Sequence, residues 1–338
     1  MKKLLFVAVA FALLVSAPAV SFSQGFSLLP GGFFGGQRAC GDGGMPSWLD
    51  PLSFYVGWGT DVGNPRFTFD SGGGGVSSLS HRWPLRGLWL GVAEKLNASE
   101  RFGINVEAWW LIPSTAVGTE ESVVGVTTFI PGVGTAPGVF FTVPAAISIN
   151  WNTRPDWWYL DGRAVLKPCG GNFAVLGGFR YDHFSTRFEF PFNTTTGFVF
   201  DPSNQADITV NSYIPYLGFE YSCMGGTNGL CLRFIGFPWV PADVLHSETG
   251  EAGAGLRATS TANFNSGRYF VEFFGEYSRS VVGGAGIGVW FRWQDLSGRG
   301  PITSTINPGG FVISDAFVFD RNTVAVGGKA TLNFNLPF

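Results

Sequence analysis

Apolar and polar positions alternate with a period of two along much of this chain, which is the pattern of a β-strand with one apolar face. In residues 101–112, Phe102, Ile104 and Val106 alternate with Asn105 and Glu107. Most such segments are about 10 to 13 residues long, close to the length that a tilted membrane-crossing strand needs. Ten strands are predicted, at residues 51–62, 85–96, 101–112, 156–167, 172–183, 212–223, 229–238, 267–279, 282–294 and 323–338.

The connections between these segments alternate between short and long. The short ones fall near residues 97–100, 168–171, 224–228 and 280–283, and the long ones at about 63–84, 113–155, 184–211, 239–266 and 295–322. This alternation is typical of an outer-membrane barrel, which has tight periplasmic turns and long extracellular loops. We therefore predict an all-β fold, an antiparallel up-and-down transmembrane β-barrel with both termini on the periplasmic side.

The strand count has one alternative. Residues 122–149 could form a further hairpin, which would make twelve strands. Pro144 and the lack of a charged face in this stretch favour a long β-rich outer loop, and hence ten strands.

The first residues have the features of a secretory signal. Lys2 and Lys3 precede an apolar stretch, and Ala17-Pro18-Ala19 is a small-residue cleavage site. We predict a signal peptide over 1–19, with cleavage after 19 or after 23, a periplasmic N-terminal segment over 20–50 and the barrel over 51–338. No later apolar run reaches the roughly 18 residues of a transmembrane helix.

Composition agrees with this prediction. Charged residues make up 13% of the 338 residues, about half the usual share, whereas aromatic residues reach 16% and glycine counts 49. The net charge of −3 gives no reason to expect nucleic acid as a partner. The expected partner is outer-membrane lipid.

The strand registers predict which charges point into the barrel. A ten-stranded barrel is close to the size at which side chains fill the interior, so these charges are expected to pair. The predicted lumen network comprises Asp61, Lys95, Glu107, Asp161, Arg163, Lys167, Arg180, Glu220, Arg233, Arg268, Glu272, Glu276, Arg292 and Lys329.

Tryptophans recur at strand ends next to long loops. An aromatic girdle at the outer membrane–water interface uses tryptophan in this way. The predicted girdle residues are Trp58, Trp110, Trp157, Trp158, Trp239 and Trp293.

Four cysteines in an exported chain favour disulfides over metal or redox roles. Cys223 and Cys231 flank one short turn, whereas Cys40 and Cys169 lie in other predicted periplasmic segments. Among three connectivities, we predict Cys223–Cys231 and Cys40–Cys169. No cofactor or metal site is predicted.

Asp182-His183 is the one candidate acid–base pair. Adjacent residues on a strand point to opposite faces, and no G-x-S-x-G-like context is present, so no catalytic residue and no enzymatic activity is predicted.

The C-terminal strand carries Leu332, Phe334, Leu336 and Phe338 at alternate positions and ends on phenylalanine. In this ending and in its architecture, residues 51–338 resemble bacterial outer-membrane β-barrel proteins, although Pro337 departs from the pattern. The resemblance implies location in the outer membrane and recognition of the four residues by the barrel-assembly machinery.

The sequence leaves three functions open. The first is a narrow porin-like or transport-related channel for a small polar solute, with a charge-paired lumen. The second is a surface-display, adhesion or envelope-structural barrel whose long loops meet an extracellular partner. The third, more remote, is an outer-membrane hydrolase. The oligomeric state is not predicted.

Overall fold

The computed structural model is built from antiparallel strands. It describes residues 52–63, 66–71, 77–97, 99, 101–114, 116–122, 127–130, 139–142, 147–168, 171–189, 205–225, 228–250, 256–264, 266–281, 285–307 and 311–332. The strands are β1 (Leu52–Asp61), β2 (Arg66–Ser71), β3 (Ser77–Arg82), β4 (Gly87–Asn97), β5 (Phe102–Pro113), β6 (Ala116–Ser122), β7 (Thr127–Ile130), β8 (Val139–Thr142), β9 (Ile147–Leu166), β10 (Phe173–Glu189), β11 (Gln205–Gly225), β12 (Asn228–Phe237), β13 (Ala242–Gly250), β14 (Leu256–Phe264), β15 (Ser266–Ser280), β16 (Gly286–Asn307) and β17 (Phe311–Leu332). Among these residues there is no helix that could span a membrane.

Ten strands close a ring at the end of the barrel that carries the short connections. Their order is β1–β4–β5–β9–β10–β11–β12–β15–β16–β17, and β17 pairs with β1 to complete the ring. We call this part the lower ring. Each of its strands overlaps one of the ten segments predicted from the alternating pattern, so the predicted fold class is confirmed.

A second closed ring continues the wall toward the end with the long connections. Here β2, β3 and β6 bridge β17 to β9, and β13 and β14 bridge β11 to β16. The strands β9, β10, β11, β16 and β17 run through both rings. We call this second part the upper ring.

Several stretches expected to be loops are therefore strands. The predicted loops 63–84 and 239–266 contain the hairpins β2–β3 and β13–β14, and 295–322 contains the extensions of β16 and β17. The sequence pattern missed these hairpins and extensions because it detects a strand by its apolar face. Backbone pairing between strands continues beyond the point where that face ends. Within 122–149, β7 and β8 form a separate two-stranded sheet. This segment adds no strand to the lower ring, which agrees with the expected β-rich outer loop.

The outside of the lower ring is apolar. On β10 the outward residues are Phe173, Val175, Phe179 and Tyr181, and Phe173 and Phe179 are 51% and 49% exposed. At about 3.3 Å per residue and a tilt of about 40°, this stretch gives about 20 Å of height, near the ~25 Å apolar band of outer-membrane barrels. Further up β10, the outward residues Ser185 and Arg187 are polar, as expected of a strand that continues beyond the apolar belt.

The register separates the two described cysteines. Cys231 pairs with Ser222, and Cys223 pairs with Leu230, so the two thiols lie on opposite faces of the β11–β12 hairpin. The predicted Cys223–Cys231 disulfide is therefore wrong. Cys40 and Cys169 lie outside the described residues.

The last strand ends at Leu332, which pairs with Leu52 of β1. The other three residues of the C-terminal motif, Phe334, Leu336 and Phe338, lie outside the described residues.

Glycines make room for an indole ring where β17 meets β1. Gly57 and Gly327 face each other across this strand pair and point inward. A Cβ on Gly57 would lie 2.5 Å from Trp290 Cζ2 and 2.3 Å from the Val326 carbonyl oxygen. The Trp290 Nε1–H donates to the Gly328 carbonyl oxygen at 2.9 Å, which holds the ring in place.

We expect Gly57→Ala to lower the free energy of unfolding by about 1–3 kcal/mol, because the new methyl group overpacks this seam. Urea unfolding of the detergent-refolded protein, followed by tryptophan fluorescence, measures the change. Gly162→Ala is the matched control because no atom lies within 4 Å of the added Cβ. An equal effect of both substitutions would contradict the overpacking argument.

Candidate functional site

The lower end of the lumen contains a group of polar side chains that contact one another. Lys329 Nζ lies 2.6 Å from Glu276 Oε1, and the Tyr55 hydroxyl donates to Glu276 Oε2 at 2.9 Å. Glu220 accepts a hydrogen bond from the Ser222 hydroxyl at 3.2 Å. The cavity beside these groups, which Cys231 also lines, measures only ≈10 Å³, the lower limit for one water molecule.

The middle of the lumen holds a network of buried charges. Glu107 accepts hydrogen bonds from Arg163 and, at 2.6 Å, from Arg233 Nη1. Asp161 lies 2.9 Å from Arg180 Nε, and its other oxygen accepts from Arg163 Nη1 at 3.1 Å. Each of these side chains is at most 5% exposed.

Glu272 joins the network from β15. Its oxygens lie 2.9 Å from Arg180 Nη1 and 2.9 Å from Arg233 Nη2, and Gln294 Nε2 donates to it at 2.6 Å. Glu272 therefore contacts two arginines that also contact the other two carboxylates. Buried charges are tolerated when they are paired and hydrogen-bonded in this way.

Aromatic rings cover the arginines of the network. The Arg292 guanidinium carbon lies 3.7 Å from the centroid of Trp109, and that of Arg180 lies 4.2 Å from Tyr159. The ion pairs of Arg292 with Glu107 and Glu272 are long, at 3.4 Å and 3.6 Å. Stacking on an aromatic face therefore provides much of its stabilisation.

A second buried ion pair lies nearer the outer end. Arg321 Nη1 and Nη2 donate to the two oxygens of Asp182 at 2.9 and 2.8 Å. The Trp157 indole N–H donates to Asp182 Oδ2 at 3.0 Å, and the Arg321 guanidinium carbon lies 3.7 Å from the Trp157 ring. This geometry is the bidentate arrangement that favours arginine over lysine.

Apolar side chains fill the lumen above this pair. Trp83 stacks on Phe184 with ring centroids 5.3 Å apart, and Phe319 lies 5.7 Å from Phe184. All three are at most 1% exposed, and Ile208 and Val210 of β11 are buried beside them in the same core. The described interior thus changes from polar to ionic to apolar along the barrel, and side chains fill each level.

Most residues of the predicted lumen network face the interior. Glu107, Asp161, Arg163, Arg180, Glu220, Arg233, Glu272, Glu276 and Arg292 are buried, and Lys329 pairs with Glu276. Lys95 lines the small cavity, Asp61 accepts the Leu85 N–H at 2.9 Å, and Lys167 is half-buried just after β9. The side chain of Arg268 lies outside the described residues.

Sequence analysis missed Arg321 and the role of Asp182. The predicted final strand began at residue 323, although the period-two register extends back through Thr323 to Arg321. Asp182 was considered only as a partner for His183.

That acid–base pair does not form. Asp182 is buried inside the barrel, whereas His183 is outside, where its Nδ1 lies 2.7 Å from Asn211 Oδ1 and its ring lies 5.2 Å from that of Trp158. The barrel wall separates the two side chains.

One of the six predicted girdle tryptophans is placed differently. Trp157 is fully buried and points inward to Asp182, so its assignment to the girdle is wrong; its neighbour Trp158 takes the outward position. The period-two alternation allows only one of two adjacent residues to face lipid. The other four predicted residues, Trp58, Trp110, Trp239 and Trp293, are exposed or half-buried.

Aromatic side chains on the outside of the wall donate hydrogen bonds to acidic or amide groups. The Trp110 indole N–H donates to Asp156 Oδ1 at 3.1 Å, and the Tyr269 hydroxyl donates to Asp295 Oδ2 at 3.0 Å. Trp293 donates to Asn322 Oδ1 at 2.9 Å. Such contacts belong to a zone between apolar and aqueous surroundings. Among the described residues, no group of three or more His, Cys, Asp or Glu is arranged to hold a metal ion.

Comparison with known proteins identifies the fold. No family model and no curated protein matches the chain. Among solved structures, it is similar to the outer membrane protease OmpT from Escherichia coli, with 12% identity and a TM-score of 0.59, covering 84% of this chain and 97% of that one. It also matches the translocator domain of the autotransporter NalP from Neisseria meningitidis, with 11% identity and a TM-score of 0.32, covering 84% and 88%.

At this identity, the likeness to OmpT concerns the fold alone. The closed lower ring and its apolar outer belt have the dimensions expected of a lipid-embedded barrel. With these features, the chain is a β-barrel of the bacterial outer-membrane class.

We expect Arg321→Met to lower the free energy of unfolding by about 3–5 kcal/mol, because it leaves the Asp182 carboxylate buried without its partner. Adding Asp182→Asn to the same chain should recover most of the loss. Urea unfolding in detergent measures both. Arg187→Ala is the matched control, because it removes an exposed ion pair with Asp207 and should cost about 0–1 kcal/mol. A double variant no more stable than Arg321→Met alone would contradict the argument.

Proposed function

We propose that this protein is a closed outer-membrane barrel that acts at the outer cell surface, as a surface-display, adhesion or envelope-structural protein. The filled lumen carries the proposal. Trp157 of β9, Phe184 of β10, Ile235 of β12, Phe270 of β15 and Phe319 of β17 are all at most 1% exposed and come from strands on different sides of the barrel. A wide aqueous path would need these side chains to leave the lumen together.

The upper ring supports the same proposal. A barrel that served only as a membrane anchor would need no wall beyond its apolar belt. Here β9, β16 and β17 are 20, 22 and 22 residues long, about twice the length that crosses a membrane. The extra length provides a rigid, water-exposed platform from which the outer connections can meet an extracellular partner.

A narrow porin-like channel for a small polar solute is the second candidate. The observation that favours it is the polar lower lumen, where Lys95, Glu220 and Glu276 line the small cavity. The apolar side chains above, with Phe184 and Phe319 at their centre, would have to rearrange to connect this cavity to the outside.

No enzymatic activity is proposed. OmpT is a protease, but only its fold is similar to this chain. The wall between Asp182 and His183 removes the one acid–base pair that the sequence offered.

The remaining assignments complete the proposal. The lipid of the outer membrane contacts the apolar belt, and the barrel-assembly machinery would read the C-terminal motif ending at Phe338. A signal peptide over 1–19 and a periplasmic segment over 20–50 remain predictions about parts of the chain outside the described residues.

In planar lipid bilayers, we expect the refolded protein to insert without producing conductance steps, because its lumen is filled. A general porin reconstituted in the same membranes is the control for the recording. Heat-modifiable migration on gels would show that the sample is folded. Reproducible steps from folded protein would overturn the closed-barrel proposal and favour the channel.

The role of the outer connections can be tested by removing residues 123–146. Removing the whole predicted loop, at about 113–155, would also remove β6 and the start of β9, which pair with each other in the upper ring. We expect that replacing these residues with a short Gly-Ser linker leaves the barrel folded, as judged by heat-modifiable migration on gels. The replacement should abolish adhesion between cells that display the protein, which is measured as the settling of those cells. Replacement of residues 190–204, another outer connection, is the matched control. Equal settling with and without 123–146 would contradict a role for this segment.

A further inference from the structure

A carboxylate points out of the lower ring into its apolar belt. Ala93 of β4 is 6% exposed and faces the lumen, so the next residue, Glu94, points outward. It pairs with Val106 of β5, which is also an outward residue. On the other described strands of the lower ring, outward charges lie at the ends of the belt, as at Asp156 and Arg279. The outward residues around Glu94 are apolar, namely Val92, Leu96, Ile104 and Ala108.

Strand geometry places Glu94 at the depth of the hydrocarbon. Its partner Val106 lies four residues from Trp110, at the outer aromatic level, and four residues from Phe102, at the lower end of β5. At about 3.3 Å per residue and a tilt of about 40°, each separation corresponds to about 10 Å of height.

The carboxylate has no counter-charge of its own there. Within the part of the chain that the structure describes, no group forms a hydrogen bond or ion pair with Glu94. An ionised group in hydrocarbon is costly, and such residues are usually paired and mark functional sites. Glu94 therefore calls for a cationic partner that another molecule supplies.

That molecule is a lipid, because the face that carries Glu94 is continuous with the belt that contacts lipid. A phospholipid with an ethanolamine head group has the right chemistry. Its primary ammonium carries N–H donors that can form charge-assisted hydrogen bonds with a carboxylate. The quaternary ammonium of choline has no N–H, and an anionic lipid would bring a second negative charge close to Glu94.

Two further features of the same face fit a phospholipid. The outward positions of Gly162 and Ala164 on β9 and of Gly177 on β10 carry little or no side chain, which leaves a shallow depression for an acyl chain. No atom lies within 4 Å of a Cβ placed on Gly162. At the lower rim, the Lys167 N–H donates to the Arg101 carbonyl oxygen at 2.8 Å, so two cationic residues adjoin each other at phosphate depth.

We propose that Glu94 and this depression form a binding site for an ethanolamine phospholipid of the periplasmic leaflet. The ammonium bends back to meet the carboxylate, which extends toward the rim. The phosphate lies toward Arg101 and Lys167, and one acyl chain packs over Gly162. The site is on the outside of the wall, so it is independent of the proposed function and of whether the lumen conducts.

Native mass spectrometry tests the proposal. The full chain is refolded into nanodiscs that contain equal amounts of phosphatidylethanolamine and phosphatidylcholine with the same acyl chains, and is then transferred to a mild detergent. The wild-type protein should retain phosphatidylethanolamine over phosphatidylcholine by about tenfold or more, because only the former forms the charge-assisted hydrogen bonds. Glu94→Gln should bring this ratio to about twofold or less, since it keeps the shape of the side chain and removes the charge.

Arg279→Gln is the matched control. It removes an outward charge at the lower end of β15, on a different hairpin, and should leave the lipid preference unchanged. Gly162→Leu fills the depression and should lower the amount of phosphatidylethanolamine retained. Heat-modifiable migration confirms that each variant is folded.

Two results would overturn the inference. One is equal retention of the two lipids by the wild-type protein, or the same preference in wild type and Glu94→Gln, which would mean that the carboxylate selects no head group. The other is retention of a second copy of the chain in place of lipid, lost in Glu94→Gln, which would make this face a protein contact.

Discussion

Backbone hydrogen bonding in lipid is the constraint on which this structure depends. A strand in hydrocarbon has no water to pair with, so every N–H and C=O of the lower ring must find a partner on a neighbouring strand. The pairing of β17 with β1 meets this need by closing the ring. Closure in turn requires alternate side chains to face lipid and lumen, and it fixes the interior width. Ten strands enclose a space that side chains can fill.

The filled interior then determines what kind of polar group is acceptable there. Glu107, Asp161 and Glu272 each contact two or more arginines, while Trp109 and Tyr159 cover guanidinium faces. Arginine suits this role because it can donate within its plane and stack above it. The network links strands from different sides of the barrel, so it joins the wall across the lumen as well as around it. A barrel built in this way is suited to holding an outer platform in a fixed position.

Sequence patterns located all ten strands of the lower ring because lipid enforces an apolar face along each of them. The same patterns missed the upper ring, because outward residues such as Ser185 and Arg187 of β10 do not continue the apolar face there. They assigned both Trp157 and Trp158 to the outer girdle, although the side chains of adjacent residues on a strand point to opposite faces. They also began the last strand at residue 323, and thus omitted Arg321, because no apolar face marks the part of the strand that precedes it.

What the sequence determined by itself is the membrane-crossing architecture and most of the inward charges, since both follow from alternation along single strands. The tertiary structure decided which charges meet. Arg233, for example, contacts Glu107 and Glu272 from strands that are distant in sequence, and Asp182 pairs with Arg321 of β17 instead of with His183. It also decided that buried side chains fill the described part of the lumen and that Cys223 and Cys231 stay apart. These outcomes depend on strand register and on the curvature of the closed wall, which bring residues together across a space that no local pattern describes.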